Sequence, residues 1–158
     1  MNLIKIKKIV DKGLITSITL KIMNALPKWF SPPEDIKKKS IEHRDMLFFG
    51  VFDKSKVIGF IALKVHNEYT VSIYNLGVLE EYHGQGIGHN LLIPAENYCK
   101  ESGYKFITVK TLDSSIQYEP YERTRRFYFK NGFYPLEVFP LIWNLENPCL
   151  FLAKYIGK

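Results

Sequence analysis

A layered α/β domain of the α+β type, with a mixed, mostly antiparallel central sheet flanked by helices, is the fold class that this sequence predicts. Two patterns carry that expectation. Three β-branched and aromatic runs, "MLFFGVF" (46–52), "KVIGFIALKVH" (56–66) and "EYTVSIYNLGV" (68–78), are divided only by the turns "DKS" and "NE", which is the signature of an antiparallel meander. Directly afterwards "EEYHGQGIGHNLL" (80–92) sets three glycines at alternate positions before an apolar helical run. A further strand follows that helix, and returning to the same sheet requires a parallel crossover.

The remaining elements follow in order. "LIKIKKIV" (3–10) alternates as a strand, and "GLITSITLKIMNAL" (13–26) places Leu14, Ile18, Ile22 and Leu26 near helical spacing. Pro27 stops that helix, and "PKWFSPP" is a connector bearing the aromatic pair Trp29 and Phe30. "SPPEDIKKKSIEHRD" reads as a second helix, with Ser31 as its cap and prolines in the first turn. After the meander, a helix runs from about residue 86 to Ser102 and closes at Gly103. Pro94 inside it removes a hydrogen bond and predicts a kink. Next come the strand "KFITVKTL" (105–112), the loop "DSSIQYEP", the helix "YERTRRFYFKN" (121–131) ended by Gly132, and the strands "FYPLEVFPLIW" (133–143) and "PCLFLAKYI" (148–156). The order is β-α-α-β-β-β-α-β-α-β-β within a single domain, 1–158.

Composition narrows the function classes. At 158 residues with 46% hydrophobic and 24% charged side chains the chain is long enough for one sizeable core. It holds no apolar run near the ~20 residues of a membrane span. Lysines break up "MNLIKIKKIV", which therefore lacks the apolar centre of a signal peptide, and a cytoplasmic location is expected. Cys99 and Cys149 sit in no Cys/His cluster, so two buried free thiols are expected and no metal site. The net charge of +6 favours an anionic partner: a phosphorylated cofactor, nucleic acid or a membrane surface. Much of the excess lies in clusters such as "KIKK" and "IKKKS" that suit solvent equally well.

The glycine loop is the most informative stretch. Amides at a helix N-terminus lack intrahelical partners and sit at the positive end of the helix dipole. Bare glycines let phosphate oxygens reach them. Residues 83–90, which are His83, Gly84, Gln85, Gly86, Ile87, Gly88, His89 and Asn90, thus form a candidate pyrophosphate cradle; a strand-to-helix turn without a ligand is the other reading. A P-loop needs Gly-Lys-Ser/Thr, which is absent, and a dinucleotide fingerprint belongs in a first βαβ unit, not after three antiparallel strands.

"LGVLEEYHGQGIGHNLL" resembles the acetyl-CoA-binding motif of the GNAT superfamily of N-acetyltransferases, in which a strand ending apolar-x-Val leads to Arg/Gln-x-x-Gly-x-Gly/Ala at a helix start. Leu76-Gly77-Val78 is the strand end, Gly86 and Gly88 are the motif glycines, and His83 stands where the family usually has Arg or Gln. "YERTRRFYFKNGFYPLE" resembles the later GNAT motif. The stretches "LPKWF" and "ENPCLFLAK" look like a bacterial GNAT subgroup of unassigned substrate. The likeness runs along nearly the whole chain.

The resemblance implies acetyl-CoA as acyl donor. It implies backbone pairing of Leu76 and Val78 with the pantetheine arm, in a slot where the strands "YTVSIYNLGV" and "KFITVKTL" splay. Gly77 is expected to let the strand bulge there. Tyr128 would lie near the cofactor sulfur, and Tyr121 occupies a position where many members carry Asn. On a helix Tyr121, Thr124 and Tyr128 share one face, with Arg125 beside them. Tyr128 is therefore the candidate general acid for the departing thiolate, since a phenol stays protonated at neutral pH. Trp29 and Phe30 either line the acceptor entrance or staple the first two helices. The general base is open among His66, Glu68, Glu81, Glu119 and a water chain. Arg123 and Arg126 are expected to face solvent. The leading function is transfer of an acetyl group to a primary amine of a small molecule or peptide N-terminus. Two rivals are a non-catalytic acyl-CoA sensor and an RNA-directed acetyltransferase. The second ranks last, for want of a stacking platform or RNA-binding motif. The acceptor is not legible, and the aromatic C-terminal hairpin (Phe139, Trp143, Phe151, Tyr155) leaves monomer and homodimer open.

Overall fold

The structure, a computed structural model, describes residues 3–158. Its elements are β1 (Ile4–Lys8), α1 (Lys12–Asn24), α2 (Pro33–Glu42), β2 (Leu47–Asp53), β3 (Lys56–Val65), β4 (Thr70–Val78), α3 (Ile87–Glu101), β5 (Phe106–Leu112), α4 (Glu119–Lys130), β6 (Tyr134–Asn144) and β7 (Asn147–Tyr155). Short 3₁₀ turns at His43–Asp45 and Glu80–Tyr82 precede β2 and the glycine loop. The expected order of elements is the observed one.

All seven strands form one sheet, in the order β1-β2-β3-β4-β5-β7-β6. Only β4 and β5 run parallel; the other neighbours are antiparallel. Helices cover both faces. A Cβ at Gly50 would stand 3.6 Å from Ile18 of α1, whereas the ring of Phe49 packs on Tyr98 of α3 at 6.4 Å. Neighbouring strand residues point to opposite faces, so α1 and α3 sandwich the sheet. The core contains Ile22, Phe48, Phe60, Ile61, Leu91 and Ile107, with Phe48 stacked on Phe60 at 5.2 Å.

Several local expectations change. Pro32, not Ser31, is the residue before α2, while Asp11 caps α1 by accepting from Leu14 N–H at 2.8 Å. Pro94 lies within α3, whose helical run continues to Glu101. The bulge falls at Tyr74 and not at Gly77: Ala62 pairs with Asn75 and Leu63 with Ile73, which leaves Tyr74 over, while Gly77 pairs in register with Phe60. Gly77 serves a different end. A Cβ there would stand 3.1 Å from Ile22 Cγ2 and 3.3 Å from Leu26 Cδ1, so the missing side chain lets α1 settle on β4.

Cys99 and Cys149 are buried free thiols, as expected, and burial pushes the Cys99 thiol up to about 12. No described helix is long and apolar enough to cross a membrane. The last hairpin is not simply core. β6 is the outermost strand, and Tyr134, Leu136, Trp143 and Tyr155 are exposed, whereas Phe139 meets Phe151 ring to ring at 5.8 Å.

Candidate active site

Parallel pairing of β4 and β5 covers only Thr70–Ile73 against Phe106–Val109. Beyond it the two strands part, and the rest of β4 has an open edge. Which groups line that edge follows from register. Leu79 N–H donates to Ile58 O at 2.8 Å, which makes the facing Gly59–Val78 pair a non-hydrogen-bonded one. The amide and carbonyl of Val78 therefore turn away from β3 into the gap. Leu76, two residues back in unbroken register, turns the same way. The His83 ring donates from Nε2 to the Val78 carbonyl at 2.7 Å and packs edge-on against Trp29 at 5.4 Å.

At the mouth of the gap the glycine loop divides its tasks. Gly84 and Gly86 have φ of 76° and 78°, and nothing lies within 4 Å of a Cβ placed on either. They supply a left-handed backbone beside open space. Gly86 caps α3, so the amides of Ile87, Gly88 and His89 have no intrahelical acceptor. Gly88 is different. A Cβ there would come within 2.8 Å of the Phe127 ring, so this glycine admits α4 against α3 and does not clear space for a ligand. His89 Nδ1 donates to Asn131 Oδ1 at 2.6 Å, tying the same two helices. Gln85 reaches back to Glu81 O at 3.2 Å. Neither Gln85 nor Asn90 is part of the cavity wall.

The cavity itself is about 590 Å³, bounded by Leu76, Val78, Gly84, Gly86 and Tyr128, with Arg126 and Lys130 on its rim. A second cavity of about 610 Å³ lies on the other side and shares Trp29, Phe30, Leu76, Thr124 and Tyr128 with the first. Tyr128 stands at this junction, 5% exposed, its ring between Phe127 and Phe133. Burial raises its pKa above the usual phenol value. Tyr121 and Thr124 share its helix face, as expected. However, Tyr121 belongs to the second cavity and not to the first, and its hydroxyl donates to Trp29 O at 2.8 Å.

The model of the Acetyltransferase (GNAT) family matches residues 18–133. The chain belongs to the GNAT family. A spermidine N(1)-acetyltransferase of Thermoplasma acidophilum is 32% identical over 96 residues, 60% of this chain and 55% of that protein. The chain spans about half the length of the relatives it matches in sequence. Among solved structures, a GNAT-family protein of Desulfovibrio desulfuricans superposes with a TM-score of 0.83 at 17% identity, over 97% of this chain and 99% of its own. A GNAT acetyltransferase of Elizabethkingia anophelis, solved with acetyl-CoA bound, gives 0.72 at 20% identity over 98% and 99%. At such identities these likenesses show the GNAT fold.

Around the GNAT cleft the cations differ from expectation. Arg123 does not simply face solvent: it pairs with Glu119 at 2.9 Å and Glu80 at 3.4 Å and lies 5.2 Å over the Trp29 ring. Trp29 is held further by its indole N–H to Pro120 O at 3.1 Å. It therefore fastens the α1–α2 connector to α4 while also lining both cavities. Arg125 is buried, donating to Leu112 O at 2.7 Å. Of the four candidate bases only His66 lines either cavity. Its Nε2 lies 2.8 Å from Ser72 Oγ, and its pKa is lowered by burial, then by Lys64 and Lys110. Glu81 pairs with Lys56 at 3.8 Å and Glu119 with Arg123, while Glu68 is exposed.

Sequence reading missed one polar chain of this GNAT domain. His43, 0% exposed, donates from Nε2 to Asn75 Oδ1 at 2.7 Å and accepts from Thr19 Oγ1 at Nδ1 at 2.8 Å. Burial, the first cause, lowers its pKa to about 4. Asn75 lines the second cavity beside the Tyr74 bulge. An asparagine inside the apolar run "YTVSIYNLGV" was the one signal of it in the sequence.

Proposed function

We propose that this domain transfers an acetyl group from acetyl-CoA to a primary amine of a small molecule or a peptide N-terminus, with Tyr128 as general acid. The observation that carries the reading is the meeting of two cavities at Tyr128, beside an open strand edge and a glycine-loop helix start. A spermidine acetyltransferase among the relatives acts on an amine, and acetyl-CoA sits in one of the solved folds.

The residues present fit that cofactor. The Leu76 and Val78 backbone offers strand-like partners to an amide-bearing arm, and His83 holds the Val78 carbonyl. The amides of Ile87, Gly88 and His89 open α3 next to the unfilled space at Gly84 and Gly86, where a helix start suits phosphate oxygens, and Arg126 and Lys130 add positive charge. Bound acetyl-CoA supplies an activated acetyl thioester. Tyr128 keeps its proton at every physiological pH because it is buried. It would therefore serve as the proton source for the thiolate that departs from bound acetyl-CoA when the amine displaces it at the thioester carbonyl. Trp29, Phe30 and Tyr121 frame the acceptor side.

Gly86→Val tests the cradle. A branched residue in a left-handed conformation costs roughly 1–2 kcal/mol, and its side chain fills the space left open beside this cavity wall. The expected result is a folded protein of slightly lower Tm whose acetyl-CoA affinity, by calorimetry, falls about tenfold or more. Unchanged affinity in the folded variant would count against the cradle.

A further inference from the structure

The second cavity carries a charge pattern that acetyl transfer alone does not call for. Its wall includes Lys39 from α2, Lys64 from β3, His66 just beyond it and Lys110 from β5, against one carboxylate, Asp35. The sheet brings the lysines together. Lys64 pairs with Ser72, and Ser72 with Thr108. Lys110, two residues past Thr108, thus shares a sheet face with Lys64. Lys39 and Lys64 converge on the Tyr74 ring, with ammonium groups 4.6 and 5.6 Å from its centre. Lys110 lies 5.9 Å from the Phe151 ring.

Among the described residues none of these three lysines belongs to an ion pair. Glu42, the carboxylate next to Tyr74, accepts from the Tyr74 hydroxyl. Burial, and then the fields of Lys64 and Lys110, lower the His66 pKa and so disfavour its charged form. A second cationic group on an acceptor would meet like charge here, whereas an anion would meet three donors.

We propose that the acceptor is an amine that also carries an anionic group, a carboxylate or a phosphate, which Lys39, Lys64 and Lys110 hold while the amine reaches Tyr128. The proposal rests on the acetyl-transfer reading and deepens it. Along β4 the span from Ser72, in the lysine row, to Leu76, at the cavity junction, is four residues, about 13 Å at ~3.3 Å per residue. A short linear spacer between amine and anion, together with the reach of the lysines, covers it. Polyamines are disfavoured by the same charges.

Both tryptophans of the chain, Trp29 and Trp143, line this cavity, so their fluorescence reports ligand entry without turnover. The probes are 6-aminohexanoate, 6-aminohexyl phosphate and 1,6-diaminohexane, titrated into the wild-type chain and into K64E/K110E, both positions being exposed. At least one anionic probe is expected to bind about tenfold more tightly than the diamine, and the tighter of the two names the group. The charge reversal is expected to invert the order while acetyl-CoA affinity, by calorimetry, stays the same. A diamine that binds as well or better, no response to any probe, or an order that survives the reversal would each overturn the proposal. Failure of the wild-type chain to bind acetyl-CoA would instead overturn the transfer reading, with the fluorescence order still deciding the charge preference.

Discussion

Replacing Tyr128 by Phe is expected to slow acetyl transfer by roughly 10²–10⁴-fold, about 3–5 kcal/mol of barrier, while acetyl-CoA affinity hardly moves. The substitution removes one oxygen from a ring otherwise packed between Phe127 and Phe133, so the hydrophobic contacts persist. What is lost is the donor at the junction of the two cavities. A loss confined to kcat marks an interaction made only in the transition state. Steady-state rates with calorimetric acetyl-CoA binding check this. A variant as fast as the parent removes Tyr128 from the chemistry, and a sensor without turnover shows no change in either quantity.

The second large effect is on stability in acid. His43 is neutral in the folded state, with a pKa near 4 against ~6.5 in an unfolded chain. Between those values the unfolded state binds more protons than the native one, so stability rises with pH there. Read downward, the contribution is intact above about pH 6.5 and is lost as pH falls toward 4, about 3 kcal/mol in all. The cause is burial, which disfavours the charged ring; the Asn75 hydrogen bond opposes it, and Lys39 adds to it. Protonation at Nδ1 also sets a donor against the Thr19 hydroxyl, which must then turn. Urea unfolding from pH 7 to 4 measures the slope. His43→Gln, which cannot titrate, is expected to flatten it by that amount over a lower baseline, and an equally steep slope would contradict a buried neutral His43.

Much of the architecture was legible because it is written locally. The period-2 runs from 46 to 78, the glycines at 84, 86 and 88, and the 121–128 helix face each lie within one short window, and together they implied the element order, while the splayed slot came from the resemblance to the GNAT motifs. What escaped depends on partners far along the chain. Gly77 and Gly88 look like loop or bulge glycines until Ile22 and Phe127 are set against them. Tyr74, not glycine, takes the bulge because β3 and β4 differ by one residue in register, which no single strand reveals. Arg123 reads as a solvated cation and Arg125 as a companion of the Tyr121–Tyr128 face, yet Glu80 and Leu112 claim them. The Thr19–His43–Asn75 chain and the lysines at 39, 64 and 110 assemble only when separate elements meet.

The most direct test of the central claim is calorimetric titration of the purified protein with acetyl-CoA, with ATP as the control nucleotide. The open β4 edge has a partner only in the amide-bearing arm that ATP lacks. Stoichiometric binding of acetyl-CoA and not of ATP is the predicted result. Binding of neither, or of both with equal affinity, would contradict the account.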